Sequence, residues 1–337
     1  MYTKRSGIST LAVKDANIST VLNSLKRHHS ASVQELSADT GLSVVTVKGI
    51  IDALIEQERA VPGEQAPSTG GRPSRCYLFN ETHRLGLLMF AREISGKDAV
   101  CLRVIDLYGT VIDADDVVSP NITPNTLETL AADKIREFDR IQALGIGLPG
   151  VEYQGKIVSL DYEALVGTSL VQDLQSRFSI PVLMENDVNA AVLGRAGNSP
   201  PEQSMVYIYF PRKYPPGAGI LVHGKLVKGG RHFAGEIGKL PLGIEWGEKT
   251  ADSFETCCSA AAQVIITLAA VLDPDSAAVY GEHITGRHME RITELCRSQL
   301  PDHILPKLIH SQDFSADFQE GLKYLTLNLL EEEQHIW

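Results

Sequence analysis

Apolar residues recur at helical spacing in three stretches near the start of the chain, and each stretch ends at residues that favour helix termini. Ile18, Val21, Leu22 and Leu25 predict a helix from Asn17 to Arg27 that stops at His28-His29-Ser30. Ser32, with Glu35 three residues on, makes a capping-box pattern for a short second helix whose apolar contacts are Val33, Leu36 and Ala38. Gly41 suits the left-handed residue that closes that helix, and Ser43 suits the N-cap of the next. This third helix runs from Val44 to Glu58, with Val47, Ile50, Ile51, Leu54 and Ile55 as its buried stripe and Ser43, Val44, Thr46 and Lys48 on its opening face.

Two helices joined through a glycine turn are the helix-turn-helix pattern, in which the start of the second helix reaches base edges in the major groove. A plain helical hairpin has the same periodicity. Ala60-Val61-Pro62 and Cys76-Tyr77-Leu78-Phe79 are strand-like runs flanking residues 63–74, which predicts a hairpin wing. Its tip, Thr69 to Arg75, holds Arg72 and Arg75 around a Gly-Arg-Pro element that proline keeps narrow and extended, a shape that suits an arginine in an A·T-rich minor groove. A flexible linker is the competing reading of the same residues.

Beyond residue 80 the pattern changes to short apolar strands alternating with helices, which predicts an α/β body. Val100 to Ile105 and Val111-Ile112 read as strands, Thr126 to Asp139 as a helix, and Ala143 to Gly150 as a strand running into a Gly/Pro loop. Ile180 to Met184 is a buried strand that delivers Glu185-Asn186-Asp187-Val188-Asn189 to its C-terminal end, ahead of a helix at Ala190 to Gly194. Polar residues at that position commonly face a ligand crevice. An isolated Asn-Asp pair is more often a helix cap. Met205 to Phe210 and Gly217 to Val222 are further strands, and Phe233 to Lys239 sets one acid, Glu236, among glycines that fit either close ligand approach or tight turns.

Composition narrows the function. With 337 residues, two or three domains are expected, and 43% apolar and 22% charged residues fit a globular protein. No uninterrupted apolar run reaches the roughly 20 residues of a membrane span, and Met1 to Lys14 lacks the apolar core of a signal peptide, so a cytoplasmic protein without a membrane partner is expected. The net charge of −11 is uneven: residues 1–80 carry nine Lys/Arg against seven Asp/Glu, a mildly basic head on an acidic body. That asymmetry favours local phosphate contact by the head. Cys76, Cys101, Cys257, Cys258 and Cys296 are too few and too scattered for a disulfide framework, and without a C-x-x-C pair Cys257 and Cys258 give only a weak metal signal.

The motifs Glu185-Asn186-Asp187-x-Asn189-Ala190-Ala191, Gly217-Ala218-Gly219-Ile220, His223-Gly224, Gly229-Gly230 and Ala234-Gly235-Glu236-Ile237-Gly238 together resemble the ROK family of repressors and sugar kinases. The resemblance extends to the head, because repressors of that family carry an N-terminal winged helix with a Gly-Gly-Arg-Pro element like Gly70 to Pro73. It implies a winged helix-turn-helix over 1–80 and a two-lobed, actin-like (sugar-kinase-like, RNase H-like) body. The lobes are expected at 81–195 and 196–337, with the C-terminal helix returning to the first. It also implies sugar contacts from Asn186, Asp187 and Glu236 near Gly150 and Lys239, with Asp187 in the place of the kinases' general base.

The resemblance breaks where ATP is held in the kinases. Phe90-Ala91-Arg92-Glu93-Ile94-Ser95-Gly96 stands in place of an Asp-x-Gly-Gly-Thr-like loop, and Arg212-Lys213-Tyr214-Pro215-Pro216 in place of a glycine-rich one. Phosphoryl transfer depends on such loops, so a non-enzymatic protein with a vestigial Asp187 and no cofactor is expected. Lys239 replaces the family's histidine and the zinc-binding cysteine cluster is missing, so no metal is expected. Lys239 admits two readings: a cation for an acidic or phosphorylated sugar, or a residue that pairs with Glu236 or faces solvent. The expected partners are a palindromic double-stranded DNA operator, a sugar or phosphosugar effector, and a second copy of the chain in a homodimer or dimer of dimers. A sugar kinase with a regulatory head is the alternative.

Overall fold

The computed structural model describes residues 10–65, 75–160, 162–197 and 202–332. Its contacts divide the chain between Arg84 and Leu85 into two units.

The first unit consists of α1 (Thr10–His28), β1 (Ser30–Ser32), α2 (Val33–Thr40), α3 (Val44–Glu56), β2 (Ala60–Gln65) and β3 (Arg75–Phe79). The strands form an antiparallel sheet in the order β1-β3-β2. Val21, Leu22 and Leu25 of α1, Leu36 of α2, Val47, Ile51 and Leu54 of α3, and Tyr77 and Phe79 of β3 are buried together. Ser24 and Arg27 of α1 donate hydrogen bonds to Asp39 of α2, at 2.5 and 2.7 Å. Helix α1 begins at Thr10, seven residues before the Asn17 expected, because Lys14 and Asp15 interrupt the apolar spacing and residues 12–16 are all exposed. Strand β1 also escapes the sequence, since Ser30-Ala31-Ser32 is too short to show alternation and forms only because β3 offers it an edge.

The second unit is built on two five-stranded sheets. The first follows from β4 (Leu85–Ile94), β5 (Lys97–Ile105), β6 (Val111–Val118), α4 (Pro124–Glu137), β7 (Ile141–Leu148), the hairpin β8 (Gly150–Tyr153) and β9 (Lys156–Leu160), α5 (Leu170–Phe178), β10 (Val182–Asn186) and α6 (Asp187–Ala196). Its order is β10-β7-β4-β5-β6, with β4, β7 and β10 parallel. The second comes from β11 (Met205–Tyr209), β12 (Gly217–Val222), β13 (Lys225–Leu226), α7 (Glu248–Asp252), α8 (Phe254–Leu272), β14 (Ser276–Tyr280), α9 (Gly286–Arg297), β15 (Lys307–His310) and α10 (Phe314–Glu332). Its order is β13-β12-β11-β14-β15, with β11, β14 and β15 parallel.

Each sheet buries its outer face under its own helices. Leu127 of α4 and Leu174 of α5 pack with Leu87, Met89 and Ile146, while Cys258, Ile265 and Ile292 of α8 and α9 pack with Val206, Ile208 and Val279. A third cluster, with Phe90, Val188, Tyr207, Phe318 and Leu322, joins the inner faces through α6 and α10. These two helices cross at glycines. A Cβ on Gly321 would collide with the Ala190 carbonyl, and one on Gly194 with the Asp317 carbonyl.

Strand β6 extends well past the Val111-Ile112 expected from the sequence, through Asp113, Asp115 and Asp116. Aspartate disfavours strands, but here the buried Lys134 ammonium pairs with Asp113 and Asp115 at 2.5 and 2.6 Å, and Arg92 and Arg103 each reach Asp116 at 2.8 Å. Burial opposes ionisation of Asp116, yet the bonds from Arg103, Cys101 and Arg92 outweigh it and hold the carboxyl at about 2. Helix α8 is, among the described residues, the one helix long and apolar enough to cross a membrane, and half of that stretch is buried within the protein. Burial pushes its Cys257 thiol up to about 12 and that of Cys258 to about 11, so both stay protonated and inert.

Candidate functional site

Two helix starts carry the residues that the sequence singles out. In the first unit, Ser32 caps α2 through a reciprocal box: the Glu35 amide donates to Ser32 Oγ at 3.3 Å and the Ser32 amide to the Glu35 carboxylate at 2.7 Å. The backbone bond to Ser32, then its hydroxyl, keep the Glu35 carboxyl below its ordinary range. Gly41, at φ 70°, ends the helix and donates its amide to the Ser37 carbonyl. Two residues on, Ser43 Oγ accepts the Thr46 amide at 3.1 Å and starts α3.

Helix α3 buries Val47, Ile50, Ile51 and Leu54 and exposes Ser43, Val44, Thr46 and Lys48 together. Lys48 is not idle: it forms an ion pair with Asp52 one turn on, and its ammonium lies 5.8 Å from the centre of the Tyr77 ring. Val45, which the sequence reading passed over, is 83% exposed, the most exposed large apolar side chain among the described residues. Arg75 opens β3 and is exposed. Arg72 and the Gly70 to Pro73 element lie outside the described residues.

In the second unit, β10 ends at Asn186, which is the N-cap of α6. Its Oδ1 accepts the amides of Val188 and Asn189 at 3.0 and 3.2 Å, and its Nδ2 donates to the Gly150 carbonyl at 3.4 Å. Asn186 and Gly150 are therefore brought together just beyond the C-terminal ends of the parallel strands β10 and β7, Gly150 opening β8 two residues after β7 ends, at the edge where open α/β sheets hold ligands. Asp187 opens α6, half-buried, and accepts the Val188 amide at 2.9 Å.

Glu185, only 6% exposed, organises this turn. One of its oxygens accepts the Asn186 amide and Asn189 Nδ2, at 3.0 and 3.1 Å, and the other meets the Lys228 ammonium at 2.6 Å. Lys228 follows β13 of the second sheet, so this ion pair joins the two sheets of the unit. Nearby, the His232 ring bonds the Glu152 carbonyl through Nδ1 at 2.5 Å and meets Tyr153 edge-on. Neither Lys228 nor His232 stood out in the sequence, because partners so distant in the chain leave no local pattern.

Glu236 and Lys239 flank and close a short 3-10 turn at Ile237–Lys239 in the same lobe. Both are exposed, and no side-chain ion pair joins them. Gly235, at φ 96°, lies so close to the Ala218 carbonyl that a side chain would not fit, so this glycine serves the packing of the turn. At the end of β11 in the second sheet, Tyr209 donates its hydroxyl to Glu282 at 2.6 Å and stacks on Phe314 at 4.6 Å between ring centres. Burial, Glu282 and the Asp187 charge together push the Tyr209 phenol far up.

The segment Phe90 to Ile94 is continuous strand, paired with β5 down to Ile94 and Lys97 and closed by a two-residue turn at Ser95 and Gly96. Arg92 within it bonds Asp116, Cys101 and Ser315. In the segment before β12, Arg212 pairs with Asp252 at 2.8 Å and the Pro216 carbonyl accepts the Gly238 amide at 3.0 Å. Among the described residues no group of three or more His, Cys, Asp or Glu side chains could hold a metal.

Residues 94–249 match the ROK family. A xylose repressor of Bacillus spizizenii is 26% identical over 242 residues, covering 68% of this chain and 61% of that protein. The dual regulator NagC of Escherichia coli is also 26% identical, over 249 residues that cover 68% of this chain and 59% of that one. The chain thus matches about three fifths of the length of these curated relatives. In structure it is similar to a ROK family transcriptional regulator described as a homolog of the E. coli MLC protein, with a TM-score of 0.64, 18% identity and coverage of 96% and 98% of the two chains. It is similar as well to a ROK hexokinase of Thermus thermophilus, with a TM-score of 0.60, 18% identity and coverage of 74% and 99%. At that identity the two structures speak to the fold alone.

Proposed function

The chain carries a ROK family domain, and from that premise we propose that it is a sugar-responsive transcriptional repressor whose winged helix-turn-helix head binds an operator and whose cleft binds a sugar or phosphosugar effector. The observation that carries this reading is the pairing, in one chain, of that domain with a head in which α2, the Gly41 turn and α3 leave the start of α3 exposed. In this reading β2 and β3 are the wing, Ser43, Val44, Thr46 and Lys48 face the major groove, and Arg72 and Arg75 reach from the wing. Asn186, Asp187, Gly150, Glu236 and Lys239 form the effector site. The names of the related repressors support a sugar, and an exposed Lys239 with no carboxylate partner among the described residues supports an anionic one.

Effector binding closes the cleft and changes the spacing of two α3 helices in a dimer on a palindromic site. Such a protein works in the cytoplasm. The kinase alternative has the hexokinase fold and Asp187 in its favour, but a strand that runs unbroken to a two-residue turn supports loss of the phosphate cradle.

The test is occupancy of fragmented genomic DNA by the purified protein, beside a double variant Arg72→Ala, Lys48→Ala. The expected result is a palindromic site near carbohydrate genes that the variant loses, and release of the wild type by one member of a sugar and phosphosugar panel. Weak, sequence-independent binding together with ATP-dependent phosphorylation of a hexose would replace the repressor with the kinase.

A further inference from the structure

Two observations on α3 remain unexplained by the packing of the first unit. Val45 holds an apolar, β-branched side chain 83% in solvent within the first turn. One turn later on the same face, Gly49 is exposed in mid-helix, and a Cβ built there meets nothing within 4 Å. Glycine in an exposed helix interior weakens the helix, and here neither crowding nor a positive φ demands it. The cation that borders this strip, Lys48, is held by Asp52 and Tyr77. Ser43 Oγ is likewise engaged, with the Thr46 amide and hydroxyl. What α3 presents outward is therefore an apolar knob beside a smooth patch of bare backbone.

We propose that Val45 reads the C5-methyl group of a thymine in the major groove and that Gly49 lets the DNA approach the helix backbone too closely for any side chain. The inference rests on the DNA-binding reading of the head and adds to it the chemistry of base selection. A thymine methyl is the one apolar group on a base edge in the major groove, and apolar side chains are what recognise it. A strip with little free charge contributes little to phosphate attraction but can discriminate T·A from C·G by contact.

The full chain first selects its operator from random duplexes. Each thymine of that operator is then replaced singly by deoxyuridine, which removes the C5-methyl and nothing else. Affinity is measured for the wild type, Val45→Ala and Gly49→Ala. The expected result is one or two thymines per half-site whose replacement weakens wild-type binding about fourfold, the worth of one buried methyl, and leaves Val45→Ala unaffected. Gly49→Ala raises the melting temperature of the free protein while weakening operator binding at least tenfold. A selected operator on which no thymine methyl matters, or on which Val45→Ala stays equally methyl-sensitive, overturns the inference and leaves the repressor intact. Gly49→Ala binding with unchanged affinity overturns the close approach. Failure to select any sequence overturns the DNA-binding reading itself, and the inference with it.

Discussion

Helices α3 and α6 both start at a polar N-cap that accepts amides of the first turn, and there the likeness ends. Among the described residues the Ser43 hydroxyl meets only Thr46, and the residues around it, Val44, Val45, Thr46 and Lys48, all face outward. Asn186 ties its turn to Gly150 at the start of β8, and Glu185 behind it gathers Asn189 and Lys228. The glycines differ in the same sense. Gly49 stands in open space, whereas Gly194 and Gly321 press α6 and α10 into backbone contact. One helix start is built to be met from outside, and the other is held from within, by both lobes.

The largest expected effect comes from the glycines. Gly321→Ala drives a methyl into the Ala190 carbonyl and should cost about 3 kcal/mol or more in urea unfolding, while Gly49→Ala should add up to about 1 kcal/mol. Equal effects of the same sign would erase the contrast. Next, Glu185→Gln leaves Lys228 without its counter-charge. Because Lys228 is partly exposed and regains water, about 2 kcal/mol of stability should go at most, and Lys228→Met should lose more, since it strands the buried Glu185 carboxylate. A neutral Glu185→Gln would mean that the turn stands without its network.

The caps themselves sharpen the comparison. Ser43→Ala should cost about 1 kcal/mol, as for an ordinary exposed cap, and Asn186→Ala about 2, because the donation to Gly150 is lost as well. Guanidine melts of both variants would show whether α6 is the more constrained start. Smallest of all, Lys48→Ala breaks an exposed pair with Asp52 and should change stability by at most about 0.5 kcal/mol while still weakening DNA binding. A larger loss would place Lys48 in the architecture of the first unit instead of on its outer surface.

Much of the local architecture was written in single residues. The Ser32 and Glu35 box, the left-handed Gly41 and the Ser43 cap follow from side chains that act within three or four positions of themselves, and the structure shows each of them. Strand β10 and the turn at Asn186 were legible for the same reason, as an apolar run ending in a cap. The acidic stretch of β6 was not, because aspartates read as a loop until Lys134, Arg92 and Arg103 arrive from elsewhere to pair with them. The start of α1 was missed because its exposed residues carry no periodicity, and Val45 because sequence alone does not reveal whether a valine is covered.

The sequence by itself determined the three helices of the head with their caps, the strands that carry the motifs and the family motifs themselves, since these depend on near neighbours and on the alternation of apolar and polar side chains. Tertiary structure alone decided that Glu185 meets Lys228, that His232 reaches Glu152, that α6 and α10 touch through glycines, and that Val45 and Gly49 stay uncovered. Each of these depends on which distant segments come to lie together, or fail to. A contact between positions dozens of residues apart is fixed by the packing of whole sheets and helices, and burial is a property of the assembled surface that no single stretch of chain contains.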